Sequence, residues 1–324
     1  MNDAKRLADA RVVVLAGGLS FEREVSLRSG RRIADALSRV GVHTELRDVD
    51  SALLPDLVAD PPDAVVFALH GAIGEDGALR SVLDLIEVPY VGPDADAARR
   101  TWDKPTAKAL LRDAGLSTPD WIALPRDTFS DLGAARLLER IVDKLGVPLA
   151  VKPARGGSGL GVAVIDDAAE LPAAMIGCFA YDDVALIEAF APGADVAVGV
   201  VDCGDGPVAL PAVEVTPVSG RYDYAARYNP GASTWHVPAR LSPGSAAAVE
   251  SAAVAAYRAL GLRDMSRIDL MVPAEGEPSV LGAKVVPGMT ETSLVPMAAE
   301  AADHQVGDLL ADLVNAALRR SSSG

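Results

Sequence analysis

Lys152-Pro153-Ala154-Arg155-Gly156-Gly157-Ser158-Gly159-Leu160-Gly161 directly follows an apolar run over residues 147–151. The run reads as a buried strand. The glycines after it form a loop whose backbone N–H groups can approach an anion with no Cβ in the way. A lysine at the strand end adds a point charge. The combination suits a polyphosphate, but a plain turn has the same composition, so the residues on either side must decide between the two.

Upstream, residues 11–92 alternate short β-branched strands, at 12–15, 43–49 and 64–69, with a helix over 26–37. That rhythm predicts α/β architecture with a doubly wound parallel sheet. Gly17-Gly18-Leu19-Ser20 ends the first strand and opens the helix, where free N–H groups would face an anionic substrate or phosphate. A second α/β block contains the Gly-rich loop, a helix over 106–114 and strands over 149–152, 161–165 and 184–188. A third block mixes strands with helices over 246–260 and 306–318. The domain boundaries expected from this pattern are 1–98, 99–200 and 201–324. Within the last, 216–235 is rich in Gly, Tyr, Arg, Asn and Pro and reads as a long mobile loop.

Composition narrows the function. The 324 residues are 50% hydrophobic, enough to bury a large core over two or three subdomains. Lys and Arg total 30 against 45 Asp and Glu, a formal charge of -15. That balance argues against attraction to nucleic acid or an anionic membrane, so a bound phosphate must meet a local cationic pocket. No apolar run approaches the ~20 residues of a membrane span, and residues 1–17 lack the layout of a secretory signal. Cys178 and Cys203 lie far apart without metal-ligand spacing. They fit a reducing cytoplasm better than a zinc site or a disulfide scaffold. Residues 319–324 read as a frayed tail.

Charged side chains at strand ends carry the remaining signal. Glu188 closes an apolar strand ahead of Ala189-Phe190-Ala191-Pro192-Gly193, a turn whose backbone can pair with a flat heterocycle while Asp195 reaches a ribose hydroxyl. Arg267 and Asp269 alternate with apolar residues, so they share one face of a strand. A buried pair of this kind is a structural salt bridge or a site that awaits an ion. The neighbouring strand is expected over 279–285. Pro287-Gly288-Met289-Thr290 then turns towards a helix whose first residues, Thr292 and Ser293, can face a carboxylate.

In this order the segments resemble the D-alanine:D-alanine ligase family of ATP-grasp enzymes, over almost the whole chain. The matching stretches begin with Gly17-Gly18-x-Ser20-x-Glu22-Arg23-Glu24-Val25-Ser26, His70-Gly71, Gly74-Glu75-Asp76-Gly77 and Asp103-Lys104 with Thr106 and Lys108. They continue with Val151-Lys152-Pro153, Arg155 and Ser158, Leu186-Ile187-Glu188, Tyr222-Asp223-Tyr224 with Tyr228, Arg267-Ile268-Asp269 and Pro287-Gly288-Met289-Thr290 with Ser293-Leu294-Val295-Pro296-Met297. The resemblance implies an N-terminal parallel-sheet domain followed by a two-subdomain ATP-grasp fold. It also implies ATP as cofactor, two D-amino acids as substrates, an acyl-phosphate intermediate, and a cytoplasmic homodimer serving peptidoglycan synthesis.

Residue by residue, the resemblance puts Lys104 and Lys152 at the ATP phosphates and Glu188 with Asp195 at adenine and ribose. Arg227 stands where lysine is usual on the mobile loop. Glu22 matches the residue that receives the first amino acid's ammonium, linked to Ser158 and Tyr228, with His70 nearby. Arg267 matches an oxyanion-stabilising arginine, and Ser293 with Leu294 a clasp on the second carboxylate. Tyr228, where depsipeptide-forming relatives carry histidine, implies an amine acceptor. Plainer readings stand beside these: a capped His70, a first-turn charge run at Glu22 to Glu24, tyrosines that pack a loop, and helix-capping Ser and Thr.

One departure is conspicuous. The family's magnesium ligands are an aspartate, matched by Asp269, and a glutamate and an asparagine, at which this chain has Gly282 and Lys284. Glycine offers no side chain, and an ammonium has no acceptor for a hard cation. The expectation is that fewer magnesium ions bind and that Lys284 neutralises phosphate charge in their place. An impaired nucleotide-binding regulator and a ligase for another small amino acid in secondary metabolism are the alternatives.

Overall fold

Val12, Val14 and Leu15 of strand β1 (Arg11–Leu15) are wholly buried, because parallel partners cover both edges of the strand and helices cover both faces. The partners are β2 (His43–Arg47) and β3 (Ala64–Phe67), in the order β2-β1-β3. In this computed structural model, residue 7 and residues 9–220, 222, 224–229 and 231–321 are described; Asp223 of the tyrosine motif lies outside them. Helix α1 (Arg23–Arg39) buries Ser26, Ser29, Gly30, Ile33 and Leu37, one face at helical spacing. A Cβ on Gly30 would meet that of Ala16 at 2.4 Å, so this close helix-to-sheet approach needs glycine.

Gly17 and Gly18 differ from expectation. Their N–H groups donate to Ser26 Oγ and Asp48 Oδ1, both at 2.8 Å, and are not available to an anion. The Asp48 carboxylate after β2 and the Ser26 hydroxyl in α1 take up both donors internally.

The central sheet is antiparallel, in the order β4 (Trp121–Pro125), β7 (Val184–Ala189), β5 (Leu149–Pro153), β6 (Ala163–Ile165). Ile141, Leu171, Met175 and Cys178 cover one face of it. The C-terminal sheet runs β11 (Ser233–His236), β10 (Val213–Pro217), β8 (Ala194–Val201), β12 (Met265–Val272), β13 (Ser279–Lys284), with β9 (Val208–Ala209) added to β8. Alternation along β8 serves both faces. Val196, Val198 and Val200 pack with Val249, Ala253 and Tyr257 of helix Pro243–Ala259, while Ala197 and Val201 join the core containing Val295 and Ala298.

Two sequence expectations are corrected here. Strand β8 belongs to the C-terminal sheet, so the sheets divide within 190–193 and not at 200. The stretch 216–235 is not a continuous loop: it contains the end of β10, a short helix Tyr224–Tyr228 and most of β11. Antiparallel pairing of Thr216 with Thr234 makes the two strands a hairpin, and Ser233 Oγ donates to the Ala226 carbonyl at 2.7 Å, holding the helix on the strand. At the far end, residues 319–321 continue the last helix, Val306–Ser321, where Arg320 donates to both oxygens of Asp264 at 2.6 and 2.7 Å. No helix among the described residues is long and apolar enough to cross a membrane.

Candidate active site

Ser158 has φ 56°, a left-handed conformation uncommon for a residue with a Cβ, within a loop where Gly156, Gly159 and Gly161 also have positive φ. The turn after β5 thereby aims the Ser158 hydroxyl out of the central sheet. The hydroxyl donates to Glu22 at the start of α1 and lies 2.6 Å from the Tyr228 hydroxyl. Three distant segments meet at this point. Burial would raise the Glu22 pKa, but the Lys284 ammonium and the Ser158 hydroxyl outweigh it and hold the carboxylate below its usual range.

On one side of this junction a cleft of about 280 Å³ separates the central sheet from the C-terminal sheet, lined by Lys104, Lys152, Glu188, Asp195, Arg267 and Asp269 among others. Asp103 caps the helix Lys104–Asp113 by accepting from Thr106 N at 3.1 Å. Lys104 Nζ then reaches the carbonyls of Pro153 and Gly156, at 3.1 and 2.8 Å, and so ties the helix to the Gly-rich loop. Burial, with Lys152 and Lys284 nearby, lowers its pKa to about 7.

Glu188 is 2% exposed and sits between two lysines: Lys108 Nζ is 2.8 Å from Oε1, and Lys152 pairs with Oε2. Oε1 is nevertheless without an aligned hydrogen bond and can accept one from an amino group in the cleft. Residues 189–191 of the turn line the same wall, where the N–H groups of Ala189 and Phe190 already serve the carbonyls of Asp120 and Pro148 at 2.9 and 3.0 Å. Burial pushes Asp195 up to about 6. Arg227 stacks its guanidinium 4.1 Å from the centre of the Tyr222 ring, and its buried Nε has no hydrogen-bond partner among the described residues.

On the other side lies a smaller cavity bounded by Glu22, His70, Tyr228, Arg267, Lys284 and Ser293, among others. His70 follows β3, with Nε2 3.3 Å from Ser29 Oγ; burial and the Lys284 charge lower its pKa to about 4, so the imidazole is neutral. Ser293 stands at the N-cap of helix Leu294–Ala301 without capping it, and its Oγ instead accepts from Thr290 N at 2.8 Å. The first N–H groups of that helix are left to other acceptors. Leu294 lines both cavities.

Arg267 and Asp269 share a face, as expected, and form a bidentate pair: Nε to Oδ1 at 2.7 Å and Nη2 to Oδ2 at 2.8 Å. Their partners across β13 are Lys284 and Gly282. This arrangement does not fit a protein-held magnesium. Both Asp269 oxygens are engaged, Gly282 and Lys284 supply no ligand, and among the described residues no group of three His, Cys, Asp or Glu side chains is placed to hold a metal.

Every residue to which the family resemblance gives a role lines one of the two cavities, whereas Gly17 and Gly18 do not. Sequence reasoning assigned no role to Glu75 or Lys108. Glu75 receives both Lys284 contacts, at 2.7 and 2.9 Å. Its flanking glycines are a partial signal: a Cβ on Gly74 would meet the Leu69 carbonyl oxygen, and one on Gly77 the Ala95 carbonyl oxygen, both at 2.1 Å. Lys108 shares the buried helix face of Ala107 and Leu111, and a lysine on an apolar stripe was the sign to follow.

Two antiparallel sheets that close on a cation-lined cleft, preceded by a parallel-sheet domain, define an ATP-grasp fold. A family model described as D-ala D-ala ligase C-terminus matches residues 110–315. A D-alanine–D-alanine ligase of Anaeromyxobacter dehalogenans is 39% identical over 286 residues, 88% of this chain and 90% of that protein. The crystal structure of D-alanine–D-alanine ligase from Bacillus anthracis superposes with a TM-score of 0.81 at 31% identity, covering 97% of this chain and 99% of that one. The same enzyme complexed with ATP superposes with a TM-score of 0.79 at 30% identity, covering 97% and 98%. This chain belongs to the D-alanine–D-alanine ligase family.

Proposed function

We propose that the protein joins two molecules of D-alanine at the expense of ATP, giving the dipeptide, ADP and phosphate for peptidoglycan precursor synthesis. A carboxylate oxygen of the first D-alanine attacks the γ-phosphorus, and the bond from that phosphorus to the β-phosphate bridging oxygen breaks, with ADP taking the electron pair. The amine of the second D-alanine then attacks the acyl carbon, phosphate leaves with the C–O electron pair, and the amine proton passes to the medium. Both steps gather negative charge in a water-poor site, so catalysis rests on positioning and on fixed positive charge.

Glu22 receives the ammonium of the first D-alanine and keeps its charge because Ser158 and Lys284 support it. Arg267, held flat by Asp269, faces the oxygen on which charge develops. Lys104, Lys152 and Arg227 act on the phosphates, Glu188 on adenine through its open Oε1, and Asp195 on ribose. His70, neutral, borders the first substrate, and Ser293 with Leu294 and the adjoining helix N-terminus hold the second carboxylate. We assign the working form to a cytoplasmic homodimer.

The observation that carries this reading is the Glu22, Ser158 and Tyr228 cluster at the seam between the larger cleft and the smaller cavity. The departures at Gly282 and Lys284 favour a second reading, a regulator that binds ATP without turning it over. A phosphate-release assay with ATP and D-alanine, L-alanine, D-serine or D-lactate separates them. Release that requires D-alanine supports the ligase, whereas tight ATP binding with no release under any of these compounds supports the regulator.

A further inference from the structure

We propose that Lys284 is a fixed cation at the point where the nucleotide cleft meets the amino-acid cavity, standing in for a protein-held divalent ion, so that the enzyme works with only the metal that accompanies ATP. The inference rests on the ligase reading above for its catalytic consequence, but its structural basis is separate. Lys284 ends β13 and lines both cavities. Its ammonium is fixed by both carboxylate oxygens of Glu75, itself 2% exposed and accepting from Gly71 N at 3.1 Å. An ammonium has three donors. The two contacts to Glu75 leave one for an oxygen at the junction, where the γ-phosphate and the first carboxylate must meet.

The same residues exclude a protein-bound divalent ion. Asp269 is occupied by Arg267, and Gly282 opposite it carries no ligand. A dication placed beside Lys284 would also face Arg267, Lys104 and Arg227 across the cleft, while the Asp269 and Glu188 carboxylates there are already paired with cations. An ammonium anchored by a buried acid supplies positive charge at the reacting oxygens without having to be recruited from solution. The substitution is local, since an added Cβ at Gly282 meets nothing within 4 Å and its φ is not in the left-handed region. An oxygen-bearing side chain can therefore be restored there.

The decisive measurement counts Mn²⁺ ions bound by the full chain with a β,γ-imido ATP analogue and D-alanine, by electron paramagnetic resonance. The wild type should bind a single ion and the Gly282→Glu/Lys284→Asn variant a second one; a second ion on the wild type overturns the proposal. Kinetically, Lys284→Ala should lower kcat about 100-fold with little change in the KM for ATP. Because that change strands the buried Glu75 carboxylate, Lys284→Ala is also made together with Glu75→Gln. A folded double variant that retains wild-type kcat overturns the proposal as well. Absence of D-alanine-dependent phosphate release in the wild type would defeat the ligase reading alone, since the ion count decides the metal question independently.

Discussion

Lys108 Nζ stands 2.8 Å from Oε1 of Glu188, with the two side chains only 1% and 2% exposed. The pair is joined by Lys152 on the other carboxylate oxygen, so one buried acid holds two cations. Burial is opposed by these lysines, which together keep Glu188 ionised. Replacing Glu188 by Gln should leave both ammonium groups without a counter-charge and cost about 3–5 kcal/mol of stability. Chemical denaturation of the purified variant measures this, and a loss below about 1 kcal/mol would contradict the arrangement.

Glu22→Gln removes the charge that is to receive the substrate ammonium while preserving shape. The KM for D-alanine should rise at least about 10-fold with ATP affinity nearly unchanged, since a hydrogen bond to a charged group contributes about 1.5–3 kcal/mol. Calorimetry of ATP binding beside steady-state kinetics checks it. Loss of ATP binding with an unchanged D-alanine KM would move Glu22 out of the amino-acid cavity.

Arg267 is proposed to act on charge that develops during reaction, so Arg267→Ala should lower kcat by about 100- to 1000-fold and leave the KM for ATP within a few-fold. A variant with unaltered kcat and a raised KM would reassign the arginine to ground-state binding. The change also frees Asp269 in a buried setting, and Arg267→Lys, which retains the charge but not the bidentate fork, should recover only part of the rate.

Lys104 titrates near 7 in the free protein, chiefly because of burial, against an ordinary value of 10.5. Between these values the unfolded chain holds a proton that the folded chain lacks, so this group makes the free protein more stable as pH rises through that window. A phosphate beside Lys104 should draw the proton back. Calorimetry at about pH 8 in two buffers of different ionisation enthalpy should register uptake of nearly one proton on ATP binding, lost in Lys104→Met. Uptake that persists in the variant would assign the proton to another group.

What the amino-acid order determined was everything that depends on local spacing. Alternation at Arg267 and Asp269 put the two on one strand face, and the glycines after Lys152 marked a loop following a buried strand. Substrate contacts at Glu22, Ser158 and Tyr228 were legible only through family resemblance, because no periodicity links segments that far apart. Tertiary structure alone decided the partnerships. It gave the Gly17 and Gly18 N–H groups to Ser26 and Asp48, moved β8 into the C-terminal sheet, and set Lys284 on Glu75, 209 residues away in the chain. The physical reason is that a buried charge takes whichever opposite charge the closed fold brings within reach, and sequence separation does not enter that energy.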